Sequence, residues 1–444
     1  MSDVWLGYYG DDFSGSADVM EVLAQAGLPT VLFLAPPSLE QLARFPEVKA
    51  IGIAGIARSL PTEAMEAELR PAFASLRRLA PLVHYKICST FDSSPEIGSI
   101  GRAIDIGRAA LGTRVVPVVV GAPALGRYCV FGNLFARSGG GSPIFRLDRH
   151  PTMATHPVTP MDEADLMRHL ARQTSANIAL LNALVLDHAA GVRFDDLVAS
   201  GAEVVLIDTL YERQMPIIGE LIASLAERDL TRFVVGSSGV EYALTAHWRA
   251  AGMLPFTRVA TPQCAESPVV IVSGSCSPVT AAQILAAAEA GFRCVALQPD
   301  EWLEGIVGRA ATEALNAMAA GESVIVHAAT GPEDPRIAAA NEKLSSAGRS
   351  TERNTLLGEA LARILNAAID AGVRRCAVAG GDTSGQVART LGIESLEFIA
   401  PLAPGSPLCR ARFHDTTRLD MEICFKGGQV GRPDFFLKLA RGAG

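Results

Sequence analysis

Lysine is scarce in this 444-residue chain: only Lys49, Lys86, Lys343, Lys426 and Lys438 occur among 39 basic residues. Arginine supplies the rest, so a lysine inside a motif stands out, and Lys86 and Lys426 both do. Positive charge is short overall. A net charge of −8 argues against a nucleic-acid binder, which needs a cationic footprint to displace counterions. The eight cysteines form no CxxC pair, which fits reduced thiols in a cytoplasmic protein. No apolar run reaches the roughly 18 residues of a membrane span, and no cationic segment leads into an apolar stretch as in a signal peptide.

Several catalytic signatures are missing too. There is no GxxxxGK[ST], and the dipeptide Gly-Lys never occurs, which excludes a P-loop kinase. No GxGxxG follows the first strand, and no GxSxG elbow or zinc-spaced His/Cys cluster is present.

What is there is an alternation. Short β-branched runs such as VWLGYY, AIGIAG, LVHYKI, VVPVVVG and RFVVGSSG are separated by Ala/Leu-rich amphipathic stretches. Apolar strands separated by helices predict parallel sheets covered on both faces. The rhythm restarts at SPVVIVSGSCSPVTAAQ, after the aperiodic TPQCAESP. The expectation is an α/β protein of two domains, 1–262 and 263–444, with mainly parallel sheets flanked by helices and an active-site cleft between them.

In open α/β sheets, ligands sit where strands hand over to helices. The first such turn carries Asp11 and Asp12 in GDDFSGS, although one aspartate or Ser16 would suffice as a helix cap. Two acids there suit a general base, a metal or substrate hydroxyls. The second, KICSTFDSS, offers Lys86, Ser89, Thr90, Asp92 and Ser93. That mixture suits a polyhydroxylated acid, with the ammonium for its carboxylate. In THPVTPM, His156 is joined to two prolines in what must be a rigid loop. Three glycine-rich turns follow in the second half: SGSCSPVT with Ser275 and Ser277, GGDTSG with Gly380, Gly381, Asp382 and Thr383, and KGGQVG with Gly427 and Gly428. Small residues before a helix let backbone N–H groups approach a phosphate.

Taken in order, GDDFSGSAD, KICSTFDSSPEIGSIGRAID, VFGNLF, HPVTPMDEADLMRHL, VSGSCSPVTAAQ, GGDTSG and KGGQVGRPDFF resemble the four-carbon acid sugar kinases, most closely their 3-oxo-tetronate kinase branch. The resemblance implies ATP-dependent phosphorylation of a sugar acid's terminal hydroxyl to a 4-phosphate in carbohydrate catabolism. It assigns the substrate to the N-terminal domain and the nucleotide to the C-terminal one. Asp11, Asp12, Lys86, Ser89, Thr90 and Asp92 then fall on the substrate side. Ser275, Gly380 to Thr383, Gly427 and Gly428 fall on the nucleotide side. The substrate side departs from the branch at Asn133, where a histidine is usual, and before HPVTPM. Threonate, erythronate or a branched oxo acid such as 3-oxo-isoapionate are therefore alternative substrates.

The mechanism expected is phosphoryl transfer with ATP and Mg²⁺, Asp12 as base, Asp11 orienting or reaching the metal through water, and Asp92 as rival base. Lys86 would hold the substrate carboxylate. The expected partners are the sugar acid and ATP, with no nucleic acid or membrane; a homo-oligomer is allowed. A nicotinamide-dependent sugar-acid dehydrogenase and a non-catalytic sugar-acid sensor are the rival classes.

Overall fold

The computed structural model describes residues 4–138, 142–156, 158–255 and 260–442; the Asp382 side chain lies outside the description. Two compact units divide the chain, Met1–Thr257 and Arg258–Gly444.

In the first unit, eight strands form a parallel sheet. They are β1 (Leu6–Gly10), β2 (Thr30–Phe33), β3 (Ala50–Ala54), β4 (Leu82–Lys86) and β5 (Val116–Val119), with β9 (Ile178–Leu181), β10 (Val204–Ile207) and β11 (Phe233–Gly236). Their order is β2-β3-β1-β4-β11-β5-β10-β9, and every pairing is parallel. β1, β4 and β10 are buried along their whole length, as expected of apolar strands covered on both faces. Between β5 and β9 the chain makes a small antiparallel sheet of β6 (Arg127–Val130), β7 (Asn133–Arg137) and β8 (Ile144–Arg146). This sheet has no counterpart in the sequence reading, which treated VFGNLF only as a motif.

The strand order reverses at β1, whose neighbours are β3 on one side and β4 on the other. Such a switch point opens a crevice at the carboxyl ends of its strands. Gly10 stands in register with Ala54 of β3 and with Lys86 of β4. The turns after these three strands therefore leave one edge of the sheet together.

The second unit has β12 (Val270–Ser273), β13 (Arg293–Ala296), β14 (Val324–His327), β15 (Arg375–Ala379), β16 (Ile393–Ala403), β17 (Ser406–Phe413) and β18 (Met421–Lys426). The order is β13-β14-β12-β15-β18-β17-β16. The first five are parallel, and β17 and β16 add an antiparallel hairpin. Ser273, Ala379 and Lys426, the last residues of β12, β15 and β18, lie side by side in register.

Candidate active site

In the first unit the acidic turn is held by an arginine the sequence reading missed. Arg58, in the short turn Ala57–Ser59 after β3, donates from Nε to Asp11 Oδ2 at 3.1 Å and from Nη2 to Asp11 Oδ1 at 2.6 Å. The same Nη2 reaches Asp12 Oδ1 at 2.7 Å. Two adjacent carboxylates would repel, and one guanidinium fork bridges both and offsets part of that repulsion. Asp11 is only 2% exposed. Burial pushes its carboxyl above the usual range, while Arg58 pulls it back. Burial alone would lower the guanidinium; Asp11 and Asp12 more than reverse this and hold it well above its ordinary value. GIARS follows a strand just as GDDFS does, which marks a second strand-end turn but not its pairing with the first.

Asp12 is also the N-cap of the helix Phe13–Gln25, accepting from Gly15 N at 2.9 Å. Both of its contacts fall on Oδ1, so Oδ2 takes no partner among the described residues. Gly15 has to be glycine. A Cβ there would lie 2.5 Å from Asp12 Oδ1 and 3.0 Å from Lys86 Nζ. The acid and the cation thus converge over its bare backbone. Lys86 is buried, and its ammonium faces Asp18 Oδ2 at 3.8 Å. That distance gives an ion pair without a hydrogen bond.

The turn after β4 is tied down at two points. Asp92 accepts a hydrogen bond from Thr159 Oγ1, and His156 Nδ1 lies 3.8 Å from the same carboxylate oxygen. Thr159 N and Oγ1 both contact His156 Nδ1, at 3.1 and 3.0 Å. Pro157 of that loop lies outside the described residues. Ser93 Oγ meets His169 Nε2 at 3.0 Å and accepts from Gln173 Nε2 at 3.1 Å. Just before Asp92 and Ser93, Phe91 is fully buried at φ +57°, a costly conformation for a bulky residue. Thr90 is buried with its hydroxyl 3.0 Å from Cys88 Sγ. Ser89 is half-buried, with no hydroxyl partner among the described residues. Asn133 stands apart. It opens β7, donates to Phe131 O at 3.1 Å, and lines an apolar groove of about 540 Å³ with Tyr128, Val130 and Phe135. No described contact brings it to Asp11, Asp12, Lys86 or Asp92.

In the second unit the three glycine-rich turns converge. A Cβ on Gly428 would lie 2.8 Å from Ser275 Oγ, and one on Gly380 would lie 2.6 Å from Thr383 Oγ1 and 3.3 Å from Ser275 N. Gly380 adopts φ +136°, a conformation that disfavours any side chain. Two helices start from these turns. Pro278–Glu289 is capped by Ser277, which accepts from Val279 N at 3.1 Å, and Gly381–Thr390 has Gly380 at its cap. Thr383 and Ser384 donate to Gly380 O at 3.2 and 2.7 Å. Gly381 is open, with nothing near a Cβ there. Two helix N-termini beside small residues make an anion cradle.

Lys426 does not head its loop toward solvent. It is fully buried. Nζ donates to Thr280 Oγ1 at 3.1 Å, Gly427 O at 2.9 Å and Gly428 O at 3.4 Å. Gln283, also buried, donates to Val430 O and Arg432 O at 3.0 Å each, fastening the far end of the same loop.

Among the described residues no group of three or more His, Cys, Asp or Glu could hold a metal. Mg²⁺ in phosphoryl transfer needs only one or two carboxylates plus phosphate oxygens and water. The paired carboxylates of Asp11 and Asp12 fit that modest requirement.

Residues 6–244 match the model of a sugar-binding N-terminal domain, and residues 270–436 that of a nucleotide-binding C-terminal domain. The chain belongs to the four-carbon acid sugar kinase family. It is a kinase of the sugar-acid class, a phosphotransferase that uses ATP. It is 48% identical to the 3-oxo-isoapionate kinase of Paraburkholderia graminis, covering 97% of this chain and 93% of that one. It is 33% identical to the 3-oxo-tetronate kinase of Methylobacterium radiotolerans, covering 97% of each. A solved Salmonella typhimurium protein described as a putative tRNA synthase has a TM-score of 0.78 at 26% identity, with 98% of each chain covered. Haemophilus influenzae protein HI1011 shares the fold with a TM-score of 0.74 at 24% identity, over 97% of this chain and 98% of that one. No helix among the described residues is long and apolar enough to cross a membrane.

Proposed function

We propose that the protein phosphorylates the terminal hydroxyl of 3-oxo-isoapionate, a branched oxo acid, with ATP. The observation that carries this choice is the 48% identity to a 3-oxo-isoapionate kinase, against 33% to a 3-oxo-tetronate kinase. The sequence alone put the linear 3-oxo-tetronate first, with threonate, erythronate or the branched acid as alternatives; the likeness favours the branched acid.

In this reading residues 1–262 bind the sugar acid and 263–444 the nucleotide. Lys86 binds the substrate carboxylate, because its ammonium has no hydrogen bond to Asp18 and so retains donors. Ser89 and Thr90 serve the substrate hydroxyls. Asp12 accepts the proton of the attacking hydroxyl at Oδ2. As the oxygen bonds to the γ-phosphorus, the bond to the β-phosphate oxygen breaks and ADP leaves with its electron pair. Arg58 keeps Asp12 aimed, holding its Oδ1. Asp92 is the rival base, with Thr159 on one of its oxygens. The turns at Ser275, Ser277, Gly380 to Thr383, and Gly427 to Gly428 receive the phosphates. Mg²⁺ would supply neutralisation of the phosphate charge, held by phosphate oxygens and water, with Asp11 reaching it through a water. We place the reaction in the cytoplasm, where the eight free cysteines would stay reduced. His156 and Asn133 act at a distance from the transfer, His156 by bracing Asp92 and Asn133 by shaping its own groove.

The test is ADP release with Mg-ATP against 3-oxo-isoapionate, 3-oxo-tetronate, threonate and erythronate. The branched acid is expected to give the highest kcat/KM. A higher value for 3-oxo-tetronate would return the substrate to the linear series, and NAD reduction without ADP release would overturn the kinase reading.

A further inference from the structure

The ammonium of Lys426 sits where a small bound cation would sit, among a hydroxyl and two backbone carbonyls, at 3.1, 2.9 and 3.4 Å. The Phe435 ring centroid lies 5.8 Å away, within cation–π range. Among the described residues no carboxylate pairs with this lysine. Its partners are all neutral, and all bear on the glycine loop, because Thr280 Oγ1 itself donates to Gly428 O at 2.9 Å.

The direction of those carbonyls has a consequence. In a trans peptide the C=O and the following N–H point opposite ways, and the described chain has no cis bond. Drawing Gly427 O and Gly428 O inward onto the ammonium therefore turns the N–H groups of Gly428 and Gln429 outward. Neither N–H donates to any acceptor among the described residues. Paired, unsatisfied amides beside Ser275 make an anion-binding concavity.

We propose that Lys426 is a tethered cation occupying a three-oxygen site beneath the glycine loop, and that by holding two carbonyls inward it presents the Gly428 and Gln429 amides to a nucleotide phosphate. It is a positioning residue, and the inference rests on assigning these loops to the nucleotide. Burial pushes its pKa down to about 8, so the ammonium is retained at neutral pH.

The experiment uses the full chain. Lys426→Ala removes the equivalent of n-propylammonium, and KM for Mg-ATP and for the sugar acid is measured with and without that amine, and with 1-propanol as a neutral control. KM for ATP is expected to rise about tenfold or more, from loss of charge-assisted hydrogen bonds, while the sugar-acid KM stays within about twofold. Propylammonium should restore part of the loss and 1-propanol none. An unchanged KM for ATP, or equal restoration by the alcohol, would overturn the proposal. Thr280→Val, a milder change, should raise the same KM about threefold; if Lys426→Ala does not fold, an unchanged KM in Thr280→Val overturns the proposal by itself. Calorimetry of ADP on the unsubstituted protein separates the two claims. Absence of binding sinks the nucleotide assignment and this inference with it. Binding with unaffected variants sinks the inference alone.

Discussion

The two candidate sites are built on one geometry and opposite chemistry. Each stands on three neighbouring parallel strand ends held in register: Ala54, Gly10 and Lys86 in the first unit, and Ser273, Ala379 and Lys426 in the second. In the first unit the turns carry side-chain charge, with two carboxylates, a guanidinium and an ammonium crowded around Gly15. In the second the glycine and serine turns present backbone instead, and the cation at their strand end, Lys426, is buried beneath the loop. Side-chain charge can titrate, rotate and take a proton. Backbone amides are fixed, and suit a ligand that brings its own charge. A lysine at a strand end is therefore no guide to its use: Lys86 keeps spare donors, while Lys426 spends all of its own on the loop.

The contrast is most easily broken at Asp12. Asn caps helices as well as Asp, so Asp12→Asn should fold normally while kcat falls by about 10²–10⁴. Near-normal turnover would remove Asp12 from the role of base.

Next in size is Arg58→Met, which strands Asp11 as a buried, unpaired carboxylate. Breaking such a pair costs roughly 3–5 kcal/mol, read in denaturant melts at neutral pH. The double variant with Asp11→Leu should recover part of that loss. If the double variant were less stable than Arg58→Met alone, the guanidinium would not be there to neutralise Asp11.

Acid bears on the second unit through one buried histidine. His327 ends β14; burial first, then the nearby Arg336, lowers its pKa to about 4. An unfolded histidine titrates near 6.5, so between these values the unfolded chain binds a proton that the folded chain refuses. Stability present above about pH 6.5 is lost as pH falls toward 4, by up to about 3 kcal/mol. His327→Gln should flatten the stability curve across that window, and an unchanged slope would mean the imidazole is protonated in place.

A smaller effect is expected from Gly428→Val, whose side chain would crowd Ser275. KM for ATP should rise about tenfold, near 1.4 kcal/mol, with the sugar-acid KM unmoved. A rise in the sugar-acid KM instead would undo the contrast.

Much of the fold was legible because buried parallel strands write themselves as short apolar runs. The strand-end motifs were legible for a related reason, since turns that neither cap nor pack for an obvious purpose stand out. Contacts between distant turns were not. Nothing near Asp11 announces that Arg58, 47 residues on, will fork onto it, because that pairing is set by strand order. The inward turn of Lys426 was hidden likewise, since Thr280 meets it across 146 residues. The sheet of β6 to β8 escaped because its alternation is weak and its strands are only half-buried. Asn133 was grouped with the substrate residues by motif, while the described contacts put it in a separate apolar groove.

The division of labour is tested most directly by hydrogen exchange on the full chain, free, with ADP, and with the sugar acid. ADP should protect the amides of the turns at Ser273–Ser277, Gly380–Ser384 and Gly427–Gly431, and the sugar acid those at Gly10–Asp18 and Lys86–Ser93. Protection of the acidic turn by ADP alone, with the glycine-rich turns left exchanging as in the free protein, would contradict the account.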